Sequence, residues 1–299
     1  MRFVLFSIQF HNFRAEKGAE QGSLRNNVSL KFDEIGQWSE LKLEIVEKYG
    51  KAYTGTLKNT TLKKYYIDAF SGAGIHVSKK TGEEIKGSPA RAMEIDPPFD
   101  GYYFIDLNPE KTEHLGKLTE GKQHNISIHT GDCNEYLTKQ VLPNIQYDKY
   151  NRALCLLDPY GLHLDWNVIQ MAGQSRAVDM FLNFPVMDMN RNAIWKNPED
   201  SRIRQEDRDR MTAFWGDESW RTAAYREEPD LFGLQTKKQE NEDVVAAFVE
   251  RLKKTAGFRY VAKPLSMKNS NNAVVYYLIF ASGNNLADKI ITDIFKKYE

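Results

Sequence analysis

The segment with the most chemical content follows a short apolar run and has the pattern Asp68-x-Phe70-x-Gly72-x-Gly74. Glycines at this spacing let the backbone turn sharply and approach a ligand where a side chain would block it. A dinucleotide site needs a third glycine and an immediate helix that holds the pyrophosphate. Here position 77 is Val77, and the next good helix start is Ser88-Pro89. The pattern favours a ligand without a pyrophosphate, with a simple strand-to-loop turn as the alternative.

Carboxylates end the next two apolar runs. Asp106 follows Phe104-Ile105, and Asp132 lies in Gly131-Asp132-Cys133. Ligands of open α/β sheets bind beyond the carboxyl ends of the strands, where Asp106 could accept hydrogen bonds from a ribose diol. Asp132 could accept from an adenine amino group while the next backbone N–H meets a ring nitrogen. Helix capping is the alternative for both carboxylates.

Acidic residues at three successive strand ends predict a pocket for an adenosine that carries no phosphates, with the glycine segment near a methionine tail. S-adenosylmethionine fits this description as the cofactor. The predicted cofactor-binding residues are Asp68, Phe70, Gly72, Gly74, Asp106, Asp132 and Cys133.

The fourth apolar run ends in Leu157-Asp158-Pro159-Tyr160-Gly161, beside the predicted cofactor. A carboxylate and a backbone carbonyl held by proline can accept both hydrogens of an exocyclic amine, and an aromatic ring can stack on the base. We therefore predict Asp158, Pro159 and Tyr160 as catalytic residues. The alternative is a rigid turn in which Asp158 caps and Tyr160 packs.

Five apolar runs, at 65–70, 102–106, 126–129, 153–157 and 178–184, alternate with helical patterns. An amphipathic helix precedes them, because apolar residues recur at steps of three and four from Trp38 through Leu41 and Ile45 to Tyr49 and Tyr53. Strands separated by helices need crossover connections. They predict an α/β fold with a mostly parallel sheet that is covered by helices on both faces.

The pattern changes after the fifth run. Residues 186–240 are rich in charge and tryptophan and show no strand pattern, which predicts a helical insertion, a lid or a target-recognition element. Apolar runs at 258–265 and 273–282 flank a polar turn, as in a hairpin. The expected domains are an N-terminal arm at 1–36, a core at 37–185 and 241–299, and the insertion at 186–240.

Composition limits the classes of function. The 299 residues include 41 Lys and Arg against 41 Asp and Glu, so the formal net charge is zero. A broad surface for bare duplex would show excess positive charge, so any basic groove must be local. Two cysteines, Cys133 and Cys155, can form neither a disulfide framework nor a structural zinc site. With neither a signal-peptide pattern nor an apolar run of membrane length, we expect a cytoplasmic protein without a membrane partner.

Several blocks together resemble the three-Cys-motif partner protein family. They are Trp38-Ser39-Glu40-Leu41-Lys42, Tyr66 to Gly74, Gly87 to Ala92, Tyr103 to Asp106, Gly131 to Asn134 and Leu157 to Gly161. The resemblance implies a Rossmann-like class I S-adenosylmethionine-dependent methyltransferase fold, with seven strands of which the last is antiparallel. It also implies a partner protein that carries a three-cysteine motif of the kind found in radical enzymes, and it leaves the substrate open.

The 157–161 loop also resembles the Asp-Pro-Pro-Tyr loop of methyltransferases that act on adenine amines in DNA or RNA. Only one proline separates Asp158 from Tyr160, so the ring stands one residue early. Cytosine methyltransferases would place a Pro-Cys at this point, and none is present. Cys155 lies within an apolar run and is interpreted as a small core residue.

We therefore predict a methyltransferase that uses S-adenosylmethionine on an amine, with nucleic acid as the first candidate acceptor. The alternative is a non-catalytic or accessory module that acts with the three-cysteine partner, favoured by the displaced tyrosine. Arginines at 191 and 202–210 could contact phosphate, although a salt-bridged helix explains the second group as well. The tryptophans of the insertion are better explained as packing residues, and His163 as a polar loop residue.

Overall fold

The computed structural model describes residues 32–231, 233–269 and 271–299. The predicted N-terminal arm at 1–36 lies outside the described residues except for its last five. The described residues belong to one unit, Phe32–Glu299.

The elements alternate along the chain as the apolar runs indicated. In chain order they are β1 (Glu34–Ile35), α1 (Gln37–Thr56), β2 (Lys63–Asp68), β3 (Ile75–Ser78), β4 (Glu84–Lys86), α2 (Ser88–Met93), β5 (Gly101–Asp106), α3 (Pro109–Thr119), β6 (Ile126–Thr130), α4 (Cys133–Tyr136, continued by a π-helical turn at Leu137–Val141 and a 3-10 turn at Leu142–Asn144), β7 (Asn151–Leu157), α5 (Trp166–Ser175), β8 (Val178–Phe184), α6 (Val186–Asn192), α7 (Gln205–Trp215), α8 (Trp220–Ala224), β9 (Tyr225–Asp230), β10 (Gly233–Lys238), α9 (Asn241–Lys254), β11 (Tyr260–Val261), β12 (Leu265–Lys268), β13 (Val274–Ser282) and α10 (Asn285–Phe295).

The main sheet has the order β11-β13-β8-β7-β2-β5-β6, with β12 also paired to β13. Five strands, β2, β5, β6, β7 and β8, are parallel, and β13 runs antiparallel to β8. The order reverses between β2 and β7, which creates the crevice in which doubly wound sheets bind ligands. This is the predicted α/β, Rossmann-like fold.

The sheet has eight strands where seven were predicted. The run at 258–265, expected as one strand, forms two short strands that pair with the two halves of β13. Pro264 lies between them, and proline has no N–H to contribute to the ladder, so the strand is interrupted there. The predicted hairpin is present, with Lys268 opposite Val274.

Two apolar cores lie on opposite faces of the sheet, because successive side chains of a strand point in opposite directions. On β2, Tyr66 belongs to the core under α1 and α10, whereas Ile67 belongs to the core under α5 and α9. The apolar stripe of α1 is buried at Ile45 and Tyr49. The predicted coverage by helices on both faces is confirmed.

The insertion contains helices α6, α7 and α8 and also a hairpin, β9 and β10. No sequence pattern predicted this hairpin. Its second strand is exposed over most of its length and carries no apolar alternation. Cross-strand polar contacts hold it, including Thr236 Oγ1 to Glu227 Oε1 at 2.6 Å. Trp215 and Trp220 are buried in the core, which confirms their interpretation as packing residues.

A small sheet combines β1, which precedes α1, with β3 and β4, which follow the glycine segment. β1 pairs parallel with β3, with Glu34 opposite Val77, so the chain before α1 lies against the hairpin that follows Gly74. No helix within the described ranges has the length and apolar character needed to cross a membrane.

Candidate active site

A cleft of about 1050 Å³ opens at the carboxyl ends of the parallel strands. Eight of the ten predicted site residues line it: Phe70, Gly72, Asp106, Asp132, Cys133, Asp158, Pro159 and Tyr160. They meet because parallel strands place all their carboxyl ends at one edge of the sheet. The cleft has room for a cofactor and part of an acceptor, since typical ligand pockets hold about 300–1000 Å³.

Asp106 joins the glycine segment to the end of β5. Its Oδ2 accepts a hydrogen bond from the Gly72 N–H at 2.9 Å, and its Oδ1 accepts from the Asn108 N–H at 2.8 Å. Gly72 has a left-handed backbone with φ 63°, which favours glycine. A phosphate-binding loop directs its N–H groups at the ligand, but the Gly72 N–H is directed at a carboxylate. The geometry therefore fits an uncharged sugar better than a phosphate.

Asp68 and Gly74 lie behind the wall of the cleft. The Asp68 side chain is fully buried, its Oδ1 accepts from the Phe70 N–H at 3.3 Å, and its Oδ2 has no partner among the described residues. Burial raises the pKa of this carboxyl to about 7. A Cβ at Gly74 would lie 2.8 Å from the Leu118 side chain, so this glycine permits close packing on α3.

Asp132 caps α4, which was the alternative explanation for this residue. Its Oδ1 accepts from the Glu135 N–H at 3.0 Å. The next residue, Cys133, is buried, and desolvation raises the pKa of its thiol to about 12. The thiol is therefore neutral and unreactive at physiological pH. Both residues face the cleft, and their assignment to adenine remains a prediction.

Asp158, at the end of β7, already has two partners. Its Oδ2 forms an ion pair with the Lys42 ammonium, and its Oδ1 accepts from Asn183 Nδ2 at 2.7 Å. Only 6% of the Lys42 side chain is exposed, against 28% of the Asp158 side chain. The pair thus places a compensated charge at the floor of the cleft, with the carboxylate on the open side.

Sequence reasoning missed Lys42 and Asn183, although both had a signal. Lys42 follows Trp38 by four residues and precedes Ile45 by three, so it lies on the apolar stripe of α1. Asn183 interrupts the apolar strand β8, and its Oδ1 is buried without a partner among the described residues. A lysine and an amide on otherwise apolar faces indicate a polar contact within the structure.

His76 on β3 also lines the cleft, and its Nδ1 is buried without a described partner. Desolvation lowers its pKa, so the neutral imidazole is favoured. No sequence pattern selected His76, because the strand that carries it was not predicted.

Tyr160 stands at the mouth of the cleft with 87% of its surface exposed. It does not pack, so the alternative of a packed tyrosine fails, and its ring is accessible for stacking. Gly161 follows with φ 62°, and a Cβ there would lie 2.6 Å from Asp188 Oδ2. The loop after β7 is therefore pressed against α6, which makes the insertion part of the cleft.

Basic residues of the insertion complete the opposite wall. Arg191 and Arg210 both line the cleft. Arg210 pairs with Asp207 and lies 3.4 Å from His163 Nε2, and Arg202 pairs with Asp200. The salt-bridged interpretation of 202–210 is thus confirmed in part, while two guanidinium groups also face the cleft. Within the described ranges, no group of three or more side chains could hold a metal ion.

Several solved structures are similar to this chain. Protein LPL1258 from Legionella pneumophila is 11% identical with a TM-score of 0.50, over 86% of this chain and 92% of that one. DszA carbon methyltransferase is 12% identical with a TM-score of 0.43, over 82% and 54%. An S-adenosylmethionine-dependent methyltransferase from Clostridium acetobutylicum is 10% identical with a TM-score of 0.38, over 80% and 92%.

The last two of these proteins are named methyltransferases, and the likeness to LPL1258 concerns the fold alone. No protein-family model and no curated protein matches the sequence. The resemblance to the three-Cys-motif partner family accordingly remains a prediction.

Proposed function

We propose that this protein is an S-adenosylmethionine-dependent methyltransferase. The observation that carries the proposal is the Asp106 carboxylate, which ends β5 beside β2 and accepts the Gly72 and Asn108 N–H groups at the carboxyl edge of the sheet. A carboxylate at this place suits hydroxyl groups of a sugar and disfavours phosphates, because like charges repel. The cofactor would supply an electrophilic methyl group bound to a positively charged sulfur.

Different residues of the cleft would bind different parts of the cofactor. Asp106 would accept the ribose hydroxyls, using lone pairs that its two backbone donors leave free. Asp132 and the Cys133 backbone would meet adenine, and Gly72 would let the backbone approach the methionine portion. Asp68 would act from behind this wall, since its own oxygens do not reach the cleft surface.

We further propose an amine as the methyl acceptor, with nucleic acid as its source. A carboxylate has about four acceptor positions, of which Lys42 and Asn183 use two at Asp158. The remaining positions and the Pro159 carbonyl can orient an amine, while the exposed Tyr160 ring stacks on a base. Arg191 and Arg210 supply cations for a neighbouring phosphate. Alignment of acceptor and methyl group would account for most of the rate.

Isothermal titration calorimetry with S-adenosylmethionine and S-adenosylhomocysteine tests the cofactor. We expect both to bind with micromolar or better dissociation constants. Absence of heat for both ligands at high micromolar concentration would refute the cofactor assignment.

Tritium transfer from labelled S-adenosylmethionine to DNA, RNA and protein tests the acceptor. We expect label in nucleic acid, and a large loss with Tyr160→Ala. Tyr150→Ala is the matched control, because Tyr150 is also exposed but does not line the cleft. Label in protein alone would contradict a nucleic-acid acceptor.

The Lys42–Asp158 ion pair favours a second candidate function. A carboxylate that is already neutralised is a weaker acceptor for an amine, so the fold could serve instead as an accessory module for the three-cysteine partner protein. Co-purification with that partner, together with cofactor binding and no transfer to any acceptor, would support this function. Transfer by the isolated chain would reject it.

A further inference from the structure

A second cavity, of about 480 Å³, lies at the opposite edge of the sheet. It is bounded by the end of α1, the starts of β7 and β8, and the start of α10. Arg152 at the start of β7 and Asp158 just after its end are six residues apart, so the cavity lies roughly 20 Å from the Asp158 end of the cleft. The two sites are separated by the sheet and share no lining residue.

Three arginines line this cavity: Arg152, Arg176 and Arg259. The arginine ion pairs of the described chain involve other residues, namely Arg91, Arg202, Arg204, Arg210, Arg221 and Arg251. The three cavity arginines therefore have no carboxylate within ion-pair distance among the described residues. Arg152 also donates to the backbone carbonyls of Tyr147 and Asn151, and its charge acts on the buried Asp179 of the same cavity. Arg176 and Arg259 form no ion pair within the described residues. Guanidinium groups that line one cavity without an ion-paired carboxylate are suited to bind an anion, because their planar donors match phosphate.

An exposed aromatic ring contacts two of these arginines. The Arg152 Cζ is 3.9 Å from the centre of the Tyr147 ring, and the Arg176 Cζ is 5.2 Å from it. Tyr147 keeps 51% of its surface exposed at the cavity. A ring beside cations combines a stacking surface with phosphate donors, which is the chemistry that recognises a nucleotide.

The inner wall of the cavity contains an unsatisfied polar group. The Tyr53 side chain is 7% exposed, and its hydroxyl has no hydrogen-bond partner among the described residues. The acidic residue of the cavity, Asp179, already accepts from the Tyr49 hydroxyl at 2.6 Å and from Ser282. The start of α10 adds the positive end of a helix dipole at Asn285. The cavity lining therefore includes the Tyr53 hydroxyl and the start of α10 in addition to the arginines.

We propose that this cavity is a second binding site, for a small phosphorylated ligand of mononucleotide size. Its volume of about 480 Å³ lies within the range of small-molecule pockets, about 300–1000 Å³, and therefore suits a ligand of mononucleotide size. The proposal is independent of the cofactor cleft and of methyl transfer.

Uridine 5′-monophosphate, inorganic pyrophosphate and uridine are the probes for calorimetry on the full chain. A pyrimidine avoids competition with the proposed adenosine cleft, and uridine lacks the phosphate. We expect the two phosphorylated probes to bind and uridine not to bind. Because the attraction is ionic, raising the salt concentration should weaken binding.

Two variants remove cations without disturbing the core. Arg176→Gly and Arg259→Gln should each weaken binding of uridine 5′-monophosphate roughly tenfold. Both positions are exposed, and Arg176 has a left-handed backbone that glycine adopts readily, so both variants should fold. Arg226→Gln is the matched control, since Arg226 is exposed on β9 and lies outside the cavity.

Three results would overturn the proposal. They are uridine binding as tightly as its monophosphate, unchanged affinity in both cavity variants, and failure of both phosphorylated probes to bind. If a single-stranded oligonucleotide binds where neither small phosphorylated probe does, the cavity is part of a nucleic-acid surface in place of a small-ligand site. None of these results bears on S-adenosylhomocysteine binding in the cleft.

Discussion

The two edges of the main sheet handle charge in opposite ways. At the carboxyl edge, the acidic residues are held by partners from the chain itself: Asp106 by backbone N–H groups, Asp132 by a helix terminus and Asp158 by Lys42. At the amino edge, Arg152, Arg176 and Arg259 form no ion pair with a carboxylate among the described residues, and the acid of their cavity, Asp179, is buried and accepts from Tyr49 and Ser282. Preorganised acids suit a neutral, hydroxyl-rich ligand, whereas free guanidinium groups suit an anion. A net charge of zero thus conceals two sites of opposite character.

Lys42→Met tests whether the negative charge of Asp158 is neutralised by Lys42. Removing the ammonium group leaves the Asp158 carboxylate, which is mostly buried, with the Asn183 amide as its remaining described partner. We expect the free energy of unfolding to fall by about 3 kcal/mol, the lower end for a broken buried pair because Asp158 is partly exposed. Urea unfolding measures it.

The control for this substitution is Lys48→Met, which removes an exposed lysine paired with Glu44 on the same helix. It should change stability little. The double variant Lys42→Met with Asp158→Asn should recover most of the loss. Equal effects of the two single lysine variants would contradict a compensated pair.

Asp106→Ala tests whether the Asp106 carboxylate holds the cleft wall in the arrangement that binds the cofactor. The change removes the acceptor for two backbone N–H groups of the cleft wall. We expect affinity for S-adenosylhomocysteine to fall about thirtyfold, or about 2 kcal/mol, as for the loss of a charged hydrogen bond. Calorimetry measures it, with Asp293→Asn on the exposed face of α10 as the control. Unchanged affinity would separate Asp106 from the cofactor.

The buried Asp68 makes stability depend on pH in a direction opposite to that of a paired acid. Its folded pKa of about 7 lies above its ordinary value of 3.8, because burial disfavours the charged form. Between these values the folded chain holds a proton that the unfolded chain has lost. This contribution to the free energy of unfolding therefore falls as pH rises from about 4 to 7, by at most about 1.4 kcal/mol per pH unit.

The measurement is the difference in stability between the native protein and Asp68→Asn across that pH range. Subtracting the free energy of unfolding of the variant from that of the native protein cancels the contribution of the other carboxyl groups, which titrate in both. A difference that stays flat between pH 4 and 7 would show that Asp68 is ionised in the folded state.

Arg176→Gly gives the smallest expected effect and tests the amino edge. Arg176 ends α5 with φ 58°, in a conformation that costs a non-glycine residue about 1 kcal/mol. Glycine should therefore raise the free energy of unfolding by up to about 1 kcal/mol, measured by urea unfolding, while it weakens phosphate binding. The dipole of α5 favours a cation at this end and offsets part of the gain. A loss of stability would mean that Arg176 is structural.

Local patterns were enough to predict the parallel core and its carboxyl-edge residues. The strand at 178–184 was predicted to the residue, and the α1 stripe from Trp38 to Tyr53 identified a buried helix face. The β9 and β10 hairpin was missed because its strands carry charge in place of apolar alternation. The pairing of Lys42 with Asp158 was missed because it joins residues 116 positions apart.

The sequence by itself determined which residues end the strands. Because parallel strands share an edge, it also determined that Asp106, Asp132 and Asp158 would meet. Only the tertiary structure decided what each carboxylate contacts, and that the arginines at 152, 176 and 259 converge on one cavity. Strand periodicity is a local property of the chain, whereas partners and desolvation depend on segments that folding brings together from distant positions.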